Sequence, residues 1–558
     1  MDQKEILKFC IEKGLLIDKE VLNLLSDTKD IESVQLVMEK IRECTKSRII
    51  TKSLLENNKE IVKDLVLDLP KESQEKLEKL KIKLGIEIEI SKKISENSPS
   101  EEIILKNTPL LSSKDFVSSK ESPDYTSIIH QEERKKDIIE SEENKKVIVL
   151  SKKQPLIKKI EVGDFVKNLR NRFSEMKEIL QEHRDLNDLV SINKLSSQSK
   201  KVSIIGMVSQ KKVTKNKNLM FEVEDLTGKI KVIINQNKPE IYALAEEISL
   251  DTILGFSGFG DQNIFFVNNI ILPDISPLEK KHSPIEEYAL FIGDLHYGSK
   301  LFMEENFKKF IRYINGEVSN TNLDQIKKIK YLFILGDVVA GVGNYPSQQK
   351  DLYVEDIEEQ FQGLANLLGK IRKDIQIIIS PGNHDGVRLM EPQPPLDEKY
   401  AWPLYNLKNL IFTPNPSYVN IGADKRLNFS GFDVLTYHGF SYAYYANNIP
   451  SLIEKGLNAP DKIMIYLLKN RHLAPTNSSV QYFPHKIDEL LIKKVPDIFV
   501  SGHTHKMEVS SYKGVLIIST STWEQETSYN KRKGNTPDFC KVPMLNTKTR
   551  SIKILDFE

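Results

Sequence analysis

Residues 498–508 read IFVSGHTHKME, an apolar run that opens onto a glycine and then two histidines, His503 and His505, one residue apart. A single histidine at a strand end is ordinarily just a satisfied polar residue. Four other stretches change that reading, because each is also a β-like apolar run that ends in polar residues. EYALFIGDLHYGS carries Asp294 and His296, IKKIKYLFILGDVVAG carries Asp337, IQIIISPGNHDG carries Asn383, His384 and Asp385, and FDVLTYHGF carries His438. Open α/β sheets bind ligands just beyond the carboxyl ends of their strands, so these ends aim their polar groups at one region. Five of the chain's ten histidines lie in the motifs, a sorting that core histidines would not show.

Imidazole nitrogen with carboxylate and carboxamide oxygen makes a mixed donor set suited to divalent Mn, Zn or Fe. Two ions roughly 3.5–4 Å apart need one bridging carboxylate, and Asp337 is the natural bridge. Cys10, Cys44 and Cys540 are far apart with no CxxC pair, which argues against a thiolate site or a disulfide framework and fits a reducing compartment.

At 558 residues the chain exceeds one core and is multidomain. Its net charge of +1 gives no global attraction to nucleic acid, so any basic surface is local. No apolar run approaches the roughly 20 residues of a membrane span, and the start MDQKEILKF lacks the order of a secretory signal. The expectation is a cytoplasmic protein without membrane contact.

Residues 1–90 read as a small all-α domain, a candidate docking module; in DIESVQLVMEKIREC, Val34, Val37, Met38 and Ile41 share one helical stripe that Asp30 would cap. Residues 91–160 are rich in Ser, Lys, Glu and Asn with few aromatics, the composition of a disordered, charged linker. Residues 161–280 begin with a helix that puts Phe165, Leu169, Phe173, Met176 and Leu180 on one face and Lys167, Arg170 and Arg172 elsewhere. Five strands follow, with a helical stretch between the third and fourth, an order that resembles an OB-fold β-barrel. Lys211, Lys212, Lys215 and Lys217 between its first two strands form a candidate phosphate-tracking patch, and Phe221, Phe256, Phe259, Phe265 and Phe266 are candidates for base stacking. Residues 281–558 form the α/β domain of the histidine motifs.

The motifs D-x-H, GD, GNHD, H and GHTH, in this order, resemble the calcineurin-like metallophosphoesterase family, whose fold is a two-layered β-sandwich flanked by helices. The resemblance implies one ion held by Asp294, His296, Asp337 and His505, and another by Asp337, Asn383, His438 and His503. It makes His384 the non-ligand histidine beside the leaving group, held by Asp385, and puts Arg388 within reach of a phosphate. Two divalent ions are expected, manganese first, with magnesium, iron and zinc left open.

The flanking text is more specific. ILGDVVAGVGNYPSQ, PGNHDGVRLMEPQPPL, LKNRHLAPT and GNTPDFCKVPMLNTKT are similar to the small subunits of archaeal family-D DNA polymerases. That resemblance implies a 3′-to-5′ exonuclease that proofreads single-stranded DNA 3′ ends in DNA replication. It also implies a heterodimer with a large catalytic subunit and admits a sliding clamp as a further partner. The alternative is a scaffold for the polymerase chain with little hydrolysis of its own. Ala340, Asn344 and Ser501 depart from the expected pattern at positions read as touching no ligand.

Overall fold

A computed structural model of the chain describes residues 147–151, 159–196, 201–319, 321–527, 531 and 534–558, together with Cys10, Leu16–Ile17, Val21, Leu22 and Ile49–Ile50. It divides into two units, Met1–Glu121 and Ser122–Glu558. In the first, Leu16–Ile17 pairs in parallel with Ile49–Ile50, a strand pair absent from the all-helical expectation. The stripe from Val34 to Ile41 and most of the expected linker lie outside the described residues. The linker's far end departs from expectation: Val147–Val149 is a strand paired with Val419–Ile421, with Val147 buried.

In the second unit, five strands close a barrel in the spatial order Val202–Val213, Leu219–Glu224, Lys229–Ile234, Ile264–Ile271, Ile253–Gly260. The helix Pro239–Glu246 falls between the third and fourth strands in chain order. Phe221, Val223, Ile230, Val232, Phe256 and Phe265 fill the interior, alternating with outward residues as strand geometry requires. Phe221, Phe256 and Phe265 are therefore core. Phe259 and Phe266 are not; they are 47% and 44% exposed and stack on each other at 5.6 Å.

The helix Val162–Gln181 buries Phe173, Met176 and Leu180 against Ile205, Ile253, Ile271 and Leu491. Leu169, expected on the apolar face, is exposed, and Arg172, expected off that face, is buried. Its guanidinium pairs with Asp488 and donates to the Pro475 carbonyl at 2.9 Å. Despite its burial, which opposes ionisation, the Asp488 carboxyl is held well below the usual range by Arg172 and His472. Breaking a buried pair strands the remaining charge, so Arg172→Ala is expected to cost about 3–5 kcal/mol, measured by denaturant unfolding. A loss below 1 kcal/mol would mean that water already reaches Asp488.

Two six-stranded sheets stack over the rest of the chain. The first runs Leu410–Phe412, Gln376–Ser380, Ile329–Leu335, Tyr288–Ile292, Lys541–Asn546, Ile552–Asp556, its first four strands parallel. The second runs Glu508–Tyr512, Val515–Ser519, Ile498–Ser501, Phe432–Tyr437, Ser417–Ile421, Val147–Val149. Successive side chains take opposite faces: Ala289 and Phe291 join the core between the sheets, while Leu290 and Ile292 face helices Glu304–Asn315 and Ile357–Leu368. Tyr442–Asn448 and Pro460–Asn470 cover the other sheet. This is a two-layered β-sandwich flanked by helices. The strands Tyr288–Ile292, Ile329–Leu335, Gln376–Ser380, Phe432–Tyr437 and Ile498–Ser501 end beside one another, and the site lies there.

Candidate metal centre

The chain turns sharply as it leaves three of these strands, Tyr288–Ile292, Ile329–Leu335 and Ile498–Ser501. Asp294, His296, Asp337, His503 and His505 have φ of 51°, 50°, 47°, 69° and 57°, the left-handed region that side chains disfavour by about 1–2 kcal/mol each. Strain of this kind persists where surrounding structure enforces it, and it clusters at functional sites. The glycine of each motif has its own cause. A Cβ on Gly336 would stand 2.5 Å from His438 Nδ1, and one on Gly382 would stand 2.2 Å from Asp337 Oδ1.

Three overlapping groups have donor atoms within 4.8 Å of one another: Asp294, His296 and His505; His296, Asp337 and His384; and Asp337, His438 and His503. Asp337 belongs to two of them. His438 Nε2 lies 3.2 Å from Asp337 Oδ2, 3.0 Å from Asn383 Oδ1 and 3.3 Å from His503 Nδ1. His296 Nε2 and His505 Nε2 face each other at 3.2 Å. Burial pushes His296, His503 and His505 down to about 3, so these rings are neutral with a lone pair to give. Burial also lowers His438, but the Asp337 carboxylate outweighs it and raises that ring to about 10. Burial raises Asp294 well above the carboxylate range, while His438, His384 and His296 hold Asp337 well below it in spite of burial. Ring nitrogens and an amide oxygen converging around two carboxylates fit divalent cations of the N/O-preferring type.

All the residues expected as ligands are thus brought together. The remaining expectations fare unevenly. His384 donates its backbone N–H to Asp337 Oδ1 at 2.8 Å, but Asp385 does not hold its ring. Asp385 instead accepts from the backbone of Val339 and Gly382 at 3.1 and 2.7 Å, bracing two ligand loops, and burial raises its carboxyl to about 7. The His384 ring is held by the Ala340 carbonyl, 2.8 Å from Nδ1, with Asn344 at 3.2 Å. Ser501, read as touching no ligand, donates to the His438 carbonyl at 3.1 Å. Arg388 stacks 3.6 Å over Phe483 and donates to the Pro392 carbonyl at 2.7 Å, so its guanidinium is engaged within the protein. Lys211 caps the barrel helix by donating to the Glu246 and Ile248 carbonyls at 2.6 and 3.2 Å, which removes it from the phosphate-tracking patch; Lys212, Lys215 and Lys217 are exposed. Glu524, not anticipated, is hydrogen-bonded by Ser299 and stands in the field of His505 and His384.

The profile of the calcineurin-like phosphoesterase family matches residues 289–507, the span of these ligand-bearing strands. Sandwich, strand-end ligands and profile together define a calcineurin-like phosphoesterase domain. Beyond that domain, the DNA polymerase II small subunit of Pyrococcus abyssi is 38% identical over 406 residues, 71% of this chain and 64% of that protein. That of Methanothermobacter thermautotrophicus is 35% identical over 399 residues, 71% of this chain and 80% of that protein. The chain belongs to the family of archaeal DNA polymerase II small subunits. It spans 64% of the length of the Pyrococcus relative. Among the described residues, no helix is long and apolar enough to cross a membrane.

Proposed function

We propose that the chain is a 3′-to-5′ exonuclease that proofreads for a large polymerase subunit, hydrolysing phosphodiester bonds at single-stranded DNA 3′ ends. The observation that carries this reading is the intact N/O donor cluster around Asp337 in a chain of this family. Asp294, His296, Asp337 and His505 would hold one ion, and Asp337, Asn383, His438 and His503 the other, manganese being the expected metal. When bound, the pair supplies an activated water and neutralises charge on the phosphoryl oxygens. With Nδ1–H given to Ala340, Nε2 is the His384 ring atom left for substrate, and from its protonated form it delivers a proton to the 3′ oxygen as the P–O bond breaks. Asp385 sets the loops that carry the ligands rather than meeting the substrate.

As part of this proposal we keep the division into 1–90 docking, 91–160 linker, 161–280 helix plus barrel and 281–558 phosphoesterase, with Val147–Val149 taken out of the linker and into the second sheet. We read the barrel as an OB-fold that guides the strand. Its register lines up Lys212, Met220, Ile233, Phe266 and Phe259 across five strands, an outward apolar row with a lysine at one end. An exposed, stacked phenylalanine pair suits bases, whose π faces stack whatever the sequence. Arg388 would reach phosphate only by leaving Phe483. A large subunit, a sliding clamp and a cytoplasmic location complete the reading.

The test is to incubate the full chain with labelled single-stranded DNA and Mn²⁺. Stepwise shortening is expected. No shortening, with or without the large subunit, would favour the scaffold. The variant carrying Phe259→Ala and Phe266→Ala is expected to weaken oligonucleotide binding about tenfold or more by fluorescence anisotropy. Unchanged binding would remove the barrel from the DNA path.

A further inference from the structure

The segment Glu391–Pro395 stood out in the sequence, yet the chemistry above does not use it. In the structure its Gln393 is buried beside Asn415, which is fully enclosed. Gln393 Nε2 donates to the Gly382 carbonyl at 3.3 Å and to the Arg388 carbonyl at 3.1 Å. Only an amide nitrogen can serve two carbonyls, so Gln393 Oε1 must face the other way, toward Asn415. There it accepts from Asn415 Nδ2 at 2.7 Å, which turns Asn415 Oδ1 toward the backbone N–H of His438 at 2.8 Å. The two residues also exchange backbone hydrogen bonds, 2.7 Å from the Gln393 N–H and 3.1 Å from the Asn415 N–H. Each amide's orientation is dictated by its neighbour's.

This relay ties Gly382, the residue before Asn383, to the backbone of His438. No contact in it touches Asp294, His296 or His505. We propose that Gln393 and Asn415 are positioning residues for one ion of the pair, the one assigned to Asn383, His438 and His503, and leave the other ion unaffected. The inference rests on the two-ion reading. The chemistry that recognises the relay's product is a divalent cation accepting one amide oxygen and two imidazoles.

The test uses full-length, metal-stripped protein titrated with Mn²⁺, with free Mn²⁺ counted by electron paramagnetic resonance. Wild type is expected to take two equivalents. Gln393→Glu sets an acceptor against the Gly382 and Arg388 carbonyls, and Asn415→Asp removes the donor to Gln393; each is expected to keep one tight Mn²⁺ and weaken the other about 10–100-fold. Spin coupling between paired ions should fade with it. Asn409→Asp is the control for a merely destabilising change: it alters a buried amide bonded to the Ile375 carbonyl, remote from every ligand, and should still bind two. Two wild-type affinities in both variants, or equal loss of both ions, would overturn the proposal. A wild type that binds fewer than two ions would instead sink the two-ion reading itself.

Discussion

Asp337→Asn is expected to reduce hydrolysis of a simple phosphodiester such as bis(p-nitrophenyl) phosphate about 10³-fold or more while leaving the protein folded. Among the described residues Asp337 is the one carboxylate shared by two donor groups, so on the proposed two-ion reading its charge would serve both ions. Asparagine keeps the size and can still accept the His384 N–H through Oδ1, which preserves the loop. What it removes is the bridging negative charge, worth several kcal/mol of transition-state stabilisation, and each 1.36 kcal/mol is tenfold in rate. The melting curve should stay close to that of wild type, and elemental analysis should find fewer than two ions. Wild-type turnover with two ions retained would mean that Asp337 does not bridge.

The second large effect comes from a single methyl group. Gly382→Ala would put a Cβ 2.2 Å from Asp337 Oδ1, 2.4 Å from the Asp337 backbone nitrogen and 2.8 Å from His438 Cε1. None of these is the free end of a flexible chain, so the ligands themselves must separate. A displacement of about 1 Å in a catalytic constellation costs on the order of 10²-fold, and that loss is expected in the same assay. Gly163→Ala supplies the contrast, since nothing lies within 4 Å of its Cβ, and it should leave turnover unchanged. A Gly382→Ala protein with full activity would mean that the centre opens more readily than this packing allows.

These glycines also explain what was legible beforehand. Each candidate ligand follows a strand whose hydrophobic run is local in sequence, and although any one such ending is ordinary, five runs ending in this way together were not. The α/β alternation was legible for the same reason, whereas the two-layered sandwich came only from the resemblance to the phosphoesterase family. The supporting contacts were not, because their partners are distant along the chain. Arg172 meets Asp488 across 316 residues, and helical periodicity alone said only that it lay off the apolar face. Lys211 looked like a loop lysine until the fold brought the end of a helix beneath it. The family resemblance paired Asp385 with the His384 ring, but the fold turns its carboxylate to the Val339 and Gly382 backbone instead. Asn415 carried no signal of its own, and the stretch around Gln393 did not reveal its role, since buried amides announce nothing until their carbonyl partners are known. The strand at Val147–Val149 hid in a charged stretch because three residues are too few to alter composition.

One consequence concerns the two layers themselves. Asp294, His296, Asp337 and Asn383 leave strands of one sheet; His438, His503 and His505 leave strands of the other. Between the sheets lie Phe291, Phe333, Val434, Val500 and their neighbours, a greasy contact that resists separation but has no directional preference against sliding. Lateral alignment is set in part at the rim, where the His438 ring reaches the Leu335 carbonyl at 2.8 Å and the His503 N–H reaches Asp294 at 3.0 Å, and a shared cation would tighten it further. On the proposed two-ion reading, cation occupancy and sheet registration would be coupled, so that whatever shears the layers would loosen the ions.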